Sequence, residues 1–275
     1  MDDPNPQPSG AAPAYGAPHP QDIPVVQEPA KLGPMQRLVG VLFSPGETFE
    51  DMNRKPTWIA PLLIAIATAV ALSLFYDWRV KPDYAQITRQ QMKARAEKTG
   101  TEMPPEATVQ TAVKVSSVVN WVSAIVGPVV TVFFVSGVFA LGLLFLQAKT
   151  TFKKTLSVVC WTFCSVGLIG AVVIAASVFV KDPASLKDVP WYYASRYAAT
   201  NLAAALSSDA SAVVKAIAGA VDVFSIWRLF LLTIGLTAIA GSRKITRGKI
   251  GSLVVGLWLI GVLIGVGFAA MGFGG

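Results

Sequence analysis

The sequence predicts an all-α integral membrane protein with about five transmembrane helices, and three observations support this fold class. Hydrophobic residues make up 53% of the 275 residues and charged residues only 14%, against roughly 25% charged in soluble domains. Five stretches are long and apolar enough to cross a hydrocarbon core about 30 Å thick. None of them alternates like a strand, so their backbone groups must pair within helices. The predicted spans are residues 57–76, 118–146, 155–180, 222–240 and 251–272.

The amino-terminal residues 1–33 are predicted to form a disordered, Pro/Ala-rich cytoplasmic tail. Residues 1–30 contain eight prolines and almost no large apolar side chains, so they cannot bury enough surface to offset the entropy of ordering. The unpatterned composition favours a linker over a polyproline ligand. The remainder, residues 34–272, is predicted to be one membrane domain.

Two short amphipathic helices are predicted before the first span. The first has an apolar face at helical spacing, formed by Met35, Leu38, Val39, Leu42 and Phe43. The second is predicted over residues 45–54, with Ser44 as its cap, Pro45 in its first position and Glu47 completing a capping box. Both helices are predicted to lie on the membrane surface, with their apolar sides towards the lipid. The residues assigned to this surface are Leu38, Leu42, Phe43 and Phe49.

The regions between the spans hold further predicted elements. Residues 79–117 are polar and helix-prone, and a break at Met103-Pro104-Pro105 predicts two extramembrane helices. The second span contains Gly127-Pro128, where a kink or tilt is expected. The Ala-rich residues 208–220 are predicted to form a surface helix.

Charged residues in the short loops predict the orientation. Cytoplasmic loops carry an excess of lysine and arginine, and the second and fourth loops are the basic ones here. We therefore predict a multi-pass protein of the cell (inner) membrane, with its amino terminus cytoplasmic and its carboxyl terminus on the opposite side. The first loop is also basic, which disagrees, although acidic residues accompany its charges. The basic residues of the second and fourth loops are Lys149, Lys153, Lys154, Arg243, Lys244, Arg247 and Lys249.

The spans lack the residues that catalysis needs. They contain no histidine and no pair of carboxylates that could act as general acid and base or hold a metal. We therefore predict no enzyme, no catalytic residues, no cofactor and no metal site. Cys160 and Cys164 are interpreted as small buried packing residues. The net charge of +7 is assigned to topological anchors at span ends, so no nucleic-acid partner is predicted.

One charge lies inside a predicted span. Arg228 follows Asp222 by about six residues, roughly 9 Å along a helix, and a charge at that depth needs a partner or a path to water. In the structural interpretation, Arg228 snorkels to the interface or pairs with Asp222, or with Asp77 at the end of the first span. In the functional interpretation, Arg228 and these two acids bind a lipid headgroup or a polar solute between helices.

Small residues form a stripe along the fifth span. Gly261, Gly265 and Ala269 recur every four residues, a spacing that lets two helices approach closely. The partner helix is predicted to be another span of this chain or, as the alternative, a second copy in a homo-oligomer.

Two short segments resemble one protein family. Residues 43–49, Phe-Ser-Pro-Gly-Glu-Thr-Phe, followed by Met52, Pro56, Trp58 and Pro61, resemble the start of the Yip domain, named for Ypt-interacting protein. Residues 222–227, Asp-Val-Phe-Ser-Ile-Trp, followed by Ile234-Gly235-Leu236, are similar to its second marker, and the match continues through Trp258. The resemblance covers residues 35–272, and the tail and compact loops are typical of a bacterial member.

The resemblance implies a five-span helical module with a cytoplasmic amino terminus and no known catalytic residue set. The family's eukaryotic members act on vesicle traffic through Rab-type GTPases and partner membrane proteins. For this chain we expect a non-enzymatic protein that organises membrane proteins or bilayer shape, with lipids and other integral membrane proteins as partners. The alternative is a transporter or channel component, with Arg228 at the site and Gly127-Pro128 as the hinge.

Overall fold

The computed structural model describes residues 31–191, 198, 200–207, 210–242 and 244–271. Of the predicted tail, residues 1–30 lie outside the described residues. The described residues form nine α-helices, two short 3-10 turns at Pro183–Leu186 and Leu202–Ala205, and one isolated bridge between Asn201 and Asp222. The helices are α1 Pro34–Phe43, α2 Pro45–Arg54, α3 Ile59–Val80, α4 Tyr84–Thr99, α5 Glu106–Phe145, α6 Phe152–Val180, α7 Ala212–Ala220, α8 Val223–Ile239 and α9 Arg247–Ala270.

Within these described ranges, four helices are long and apolar enough to cross a membrane: α3, α5, α6 and α9. The fifth predicted span is α8, a shorter apolar helix of 17 residues, about 26 Å long. The prediction of an all-α membrane protein is confirmed, with four candidate spans and one shorter apolar helix.

The helices place α1, α2 and two basic loops together, and we call this region the basic end. The loops are residues 147–151 and 241–246, of which Arg243 lies outside the described residues. They approach each other where the backbone N–H of Lys149 donates to the carbonyl of Ala240, just before residue 241, over 2.9 Å. The second helix, α2, lies here too, because Asn53 Nδ2 donates to the carbonyl of Ala238 at the end of α8 over 3.1 Å. The starts of α3 and α6 join them, since Ser157 Oγ donates to the carbonyl of Thr57 over 2.9 Å.

The opposite region, which we call the distal end, contains α4, α7 and the 3-10 turns. There Tyr76 at the end of α3 donates its hydroxyl to the carbonyls of Leu186 and Val189, over 3.2 and 2.9 Å. The start of α8 also lies here, because Thr200 Oγ1 donates to Asp222 Oδ2 over 2.6 Å. The short helix α8 therefore runs from the distal end to the basic end.

The main core surrounds the first half of α6. Trp161 is fully buried there, and Phe49 and Met52 from α2 join it with Leu231 and other residues of α8. Cys160 and Cys164 are free thiols in this core, which confirms their interpretation as packing residues. Burying Phe49 and Met52 contributes several kcal/mol, so α2 is part of the folded domain.

The polar region before the second span differs from its prediction. One of the two expected extramembrane helices is α4, but the other is the first part of α5, a continuous helix of 40 residues. Helical residues begin directly after Pro105, and the interior Pro128 does not end the helix, since a proline removes only one hydrogen bond of the ladder. The Ala-rich prediction is confirmed by α7, although residues 208 and 209 lie outside the described residues.

The predicted capping box at Ser44 was wrong. Among the described residues its side chain makes no capping hydrogen bond, although Pro45 does occupy the first helical position. Ser44 has to end α1 as well as start α2, and its N–H donates to the carbonyl of Gly40 over 2.7 Å. Its own carbonyl accepts from both the N–H and the hydroxyl of Thr48, over 3.2 and 2.9 Å.

Candidate functional site

A buried ion pair joins the two amino-terminal helices. Arg37 of α1 and Asp51 of α2 are both buried, with 2.7 Å between Arg37 Nη2 and Asp51 Oδ2. Arg37 Nε donates to the same oxygen over 3.1 Å, and the backbone N–H of Lys31 donates to Oδ1 over 2.7 Å. Burial acts to raise the pKa of Asp51, but these hydrogen bonds outweigh it and hold the pKa below its ordinary value of 3.8.

The same arginine connects this pair to the first span. Arg37 Nη1 donates to the carbonyl of Lys55 over 3.1 Å and to Thr57 Oγ1 over 2.7 Å. Thr57 in turn accepts at its carbonyl from Ser157 Oγ and from Trp161 Nε1 of α6, each over 2.9 Å. One polar network, which we call the clamp, therefore fixes α1 and α2 to the starts of α3 and α6. It consists of Arg37, Asp51, Thr57, Ser157 and Trp161.

The clamp fixes the orientation of α1 and thereby determines which face of this helix is exposed. Leu38 and Val41 face the protein beside Arg37 and are buried, whereas Met35, Val39 and Phe43 are 70%, 49% and 78% exposed. The three exposed residues are spaced every four positions, so they share one face. We call this face the α1 stripe.

The predicted membrane-surface residues are therefore divided between two environments. Phe43 belongs to the α1 stripe, and Leu42 is partly buried against the core. Leu38 and Phe49, by contrast, lie in the core, so these two assignments are corrected. Amphipathic periodicity showed that a buried face exists, but a helix that packs on protein gives the same pattern as one that packs on lipid.

A cavity of about 530 Å³ lies between α3, α5, α6 and α8. Polar residues of its lining come from the distal end and the first turns of α8, while its deeper wall is mostly apolar and includes Ala65, Ala69 and Val132 beside Thr68 and Thr131. Arg228 and Asp222 both line it. The structure thus brings together two of the three residues predicted to form a polar site.

The Cα of Arg228 lies about 7.5 Å beyond the start of α8, and its side chain points back towards the first turn of that helix. Its partners are on its own helix, since Nε donates to the carbonyl of Phe224 and Nη2 to Ser225 Oγ, each over 3.3 Å. Its Cζ also lies 5.2 Å from the centre of the Phe163 ring, a cation–π distance. Within the described ranges no carboxylate comes within 4 Å of it, so the predicted ion pairs with Asp222 and Asp77 do not form.

Asp222 has a different task, because it caps α8. Its Oδ1 accepts from the backbone N–H groups of Phe224 and Ser225, over 2.8 and 3.2 Å, and its Oδ2 accepts from Thr200. These bonds satisfy donors that a helix start leaves free. The bridge between Asn201 and Asp222 holds the incoming loop beside the cap.

Asp77 lies apart from this cavity, in a polar chain between α3, α4 and α5. Its Oδ1 accepts the hydroxyl of Tyr84 over 2.6 Å, and Asn120 Nδ2 donates to the same hydroxyl over 2.9 Å. Burial and the hydrogen bond to Asp77 raise the pKa of Tyr84 above its ordinary value. This chain holds α4 against the long helix α5.

The small-residue stripe of α9 faces two environments. Ala269 is buried, whereas a Cβ built at Gly261 or Gly265 would meet nothing within 4 Å. The two glycines therefore have open space beside them, and their close-packing partner stays a prediction. Among the described residues no group of three or more histidine, cysteine or carboxylate side chains could hold a metal ion.

The long apolar helices and the clamp define a multi-pass α-helical membrane protein whose amino-terminal helices are part of the folded domain. Residues 39–269 match the Yip1 domain, and the chain belongs to that family. It is similar to the membrane protein YknW of Bacillus subtilis (strain 168), with 27% identity over 229 residues that cover 82% of this chain and 86% of the relative. No solved structure matches the chain.

The two segments that carried the resemblance touch each other. Phe49 of the first segment packs against Gly235 of the second, where an added Cβ would lie 3.0 Å from Phe49 Cε1 and 2.5 Å from Val158 Cγ1. Only glycine leaves room for such an approach. In this structure, the two segments that resemble the family therefore form the contact through which α2 packs on α8.

Proposed function

We propose that the protein is a non-enzymatic membrane scaffold, which organises other integral membrane proteins or local bilayer shape through α1. The observation that supports this most directly is the α1 stripe, three apolar side chains that face outwards from a helix fixed by a buried ion pair. A free amphipathic helix must lose conformational entropy when it binds a surface. The clamp removes most of that cost, because it orders α1 before anything binds.

The charges near α1 suit the cytoplasmic face of the cell (inner) membrane, where we place the amino terminus. Lysines of both basic loops lie at the same end as α1, and each basic residue near an anionic leaflet contributes about 1 kcal/mol of attraction. The carboxyl terminus would then lie on the opposite side. Cysteines introduced at Glu47 and at Met271 test this, because a membrane-impermeant thiol reagent applied outside intact cells should label only the second. The native cysteines are buried and do not interfere.

The function itself is tested by making the α1 stripe polar in the full-length protein. Met35, Val39 and Phe43 are replaced together by serine. In the matched control, serine replaces Glu47 and Glu50, which are exposed residues of neighbouring α2. Cross-linking in native membranes followed by mass spectrometry identifies accompanying proteins, and electron microscopy of reconstituted vesicles measures bilayer shape. We expect the serine variant to lose its partners or its effect on vesicle diameter, and the control to keep both.

A depth measurement separates lipid from protein as the occupant of the stripe. A spin label at Val39→Cys should be relaxed by oxygen dissolved in the bilayer if the stripe enters lipid, whereas a label at Glu47→Cys should be relaxed by a water-soluble reagent. A serine variant that inserts correctly and keeps its partners and vesicle shape would refute the scaffold proposal.

The transporter alternative gains no support from the comparisons, because neither the family nor the relative is described by a transported solute. For the oligomeric state, we propose a second copy as the partner of Gly261 and Gly265, since the space beside both is open. Cross-linking through a cysteine at Gly261 tests this pairing.

A further inference from the structure

We propose that the cavity between α3, α5, α6 and α8 binds the phosphate group of a phospholipid, with Arg228 as its cation. This inference does not depend on the scaffold proposal, because the cavity faces the distal end and α1 lies at the basic end. Arg228 lines this cavity. The arginine indicates an anionic group in the ligand, and the apolar wall of the cavity indicates an apolar part.

The first step concerns the hydrogen bonds and the charge of the Arg228 guanidinium. Both hydrogen bonds of Arg228 are long, at 3.3 Å, and both go to neutral oxygens on its own helix. Neither bond uses Nη1, and the carboxylate of Asp222 makes no ion pair with the guanidinium within 4 Å. Among the described residues no carboxylate pairs with it, and a charge inside a membrane helix needs a partner or a path to water. The planar fork of donors on the guanidinium matches the oxygens of a phosphate.

The second step concerns the hydrogen bonds that the carboxylate of Asp222 already accepts. Asp222 lines the same cavity, but its oxygens already accept from two backbone N–H groups and from Thr200. Moving it towards Arg228 would uncap α8, which costs about as much as a helix cap is worth. The cap therefore keeps the carboxylate away from the guanidinium and leaves the arginine available to an outside anion.

The third step is the shape of the space. A volume of about 530 Å³ lies within the range of small-molecule sites. Arg228, Ser225 and Asn201 line its distal part. The part that extends between the helices is mostly apolar, and its lining includes Ala65, Ala69 and Val132 with Thr68 and Thr131. A ligand with a charged group near one end and a hydrocarbon chain at the other fits this division. The Cα of Arg228 lies only about 7.5 Å inside α8, and its guanidinium points back to Phe224 and Ser225, a depth that a lipid phosphate can reach from the interface.

The binding test uses the full-length protein in detergent and native mass spectrometry. The probes are phosphatidylglycerol, a diacylglycerol with the same chains but no phosphate, and inorganic phosphate. We expect phosphatidylglycerol to stay bound, diacylglycerol to be lost, and millimolar inorganic phosphate neither to bind nor to displace the lipid. Equal retention of diacylglycerol would overturn phosphate recognition, and displacement by inorganic phosphate would overturn a lipid as its source.

Four variants locate the site. Arg228→Gln should weaken retention of phosphatidylglycerol at least about tenfold, the size expected for hydrogen bonds to a charged group, and Arg228→Lys should restore part of it. Arg79→Gln is the matched control, because Arg79 also lies over a ring, at 5.8 Å from Phe179, but outside the cavity. Gly167→Leu fills the cavity and keeps the charge, since an added Cβ at this lining residue meets nothing within 4 Å.

The set of variants keeps the test decisive even if one of them does not fold. If Arg228→Gln does not fold, the result for Gly167→Leu decides, because that variant keeps every charge and enters open space. Loss of the lipid in Gly167→Leu with retention in Arg79→Gln supports the site. Retention of phosphatidylglycerol at the parental level in Gly167→Leu, or in a folded Arg228→Gln, overturns it.

Discussion

Replacing Asp51 by alanine should release α1 from the rest of the protein. The substitution removes the carboxylate that accepts two hydrogen bonds from Arg37, over 2.7 and 3.1 Å, and one from the backbone of Lys31, over 2.7 Å. Arg37 is only 3% exposed, so its charge would remain buried without its counter-ion. Breaking a buried ion pair in this way costs about 3–5 kcal/mol.

The structure places the expected cost near the lower limit of that range. Arg37 keeps the carbonyl of Lys55 and the hydroxyl of Thr57 as partners through Nη1, so part of its hydrogen bonding survives. We therefore expect about 3 kcal/mol, which corresponds to roughly a hundredfold change in the equilibrium for undocking α1.

The assay is hydrogen exchange of the α1 amides in the full-length protein in nanodiscs. These amides should exchange roughly a hundredfold faster in Asp51→Ala, while the amides of α9 should not change. Glu106→Ala is the control, because its ion pair with Arg89 is also short, at 2.6 Å, but the side chains are 60% and 54% exposed. An exposed pair contributes at most about 1 kcal/mol.

A double substitution completes the design. Arg37→Met with Asp51→Leu removes both charges, and it should recover much of the protection that Asp51→Ala loses, because neither charge then remains buried alone. If Asp51→Ala changed α1 exchange no more than Glu106→Ala does, the clamp would not hold α1 and the reasoning would be refuted.

Three further outcomes follow from the same contacts. The folded pKa of Asp51 is depressed, so its stabilisation is present above the unfolded value of 3.8 and is lost as the pH falls through the folded pKa, which lies lower. Protection of the α1 amides relative to their intrinsic exchange rates should therefore decline as the pH is lowered from about 7 towards about 3, and Asp51→Asn should abolish this decline. Gly235→Ala should destabilise the protein by about 1–3 kcal/mol through overpacking against Val158, whereas Gly256→Ala, which meets open space, should not lower the melting temperature in detergent. Tyr84→Phe removes the hydroxyl between α4 and α5, and faster proteolysis of α4 in that variant, with α6 unaffected, would support its role.

Hydropathy predicted the spans well because the bilayer imposes one strong local rule. Residues 155–180 and 222–240 lie close to the observed α6 and α8, since backbone groups in lipid must pair within their own segment. The predicted start of the second span, residue 118, differs from the start of α5 at Glu106. Hydropathy shows where a helix enters the lipid, but it does not show where the helix begins outside the lipid. The first turns of α5 are polar, and nothing between Glu106 and the span interrupts them.

The clamp could not be predicted in the same way. Arg37 and Asp51 are 14 residues apart on different helices, and Thr57 and Ser157 are 100 residues apart. No periodicity relates such positions, and both charges look like ordinary surface residues of amphipathic helices. Phe49 shows the same limit, because its burial depends on Gly235. Arg228 was found from sequence because a charge within an apolar run is conspicuous by itself.

The hydrogen bonds between Thr57 and α6 also set the earliest point in synthesis at which the clamp can be complete. Until the ribosome has made Ser157 and Trp161, the clamp lacks its partners on α6, and the surface of α8 on which α2 packs is made later still. Arg37 and Asp51 can bond to each other and to Thr57 before α6 exists, but the helices on which α1 and α2 pack, α6 and α8, are made only afterwards. Contacts of such long sequence separation form late, so a nascent chain halted before α6 would still expose both amino-terminal helices to chaperones and proteases.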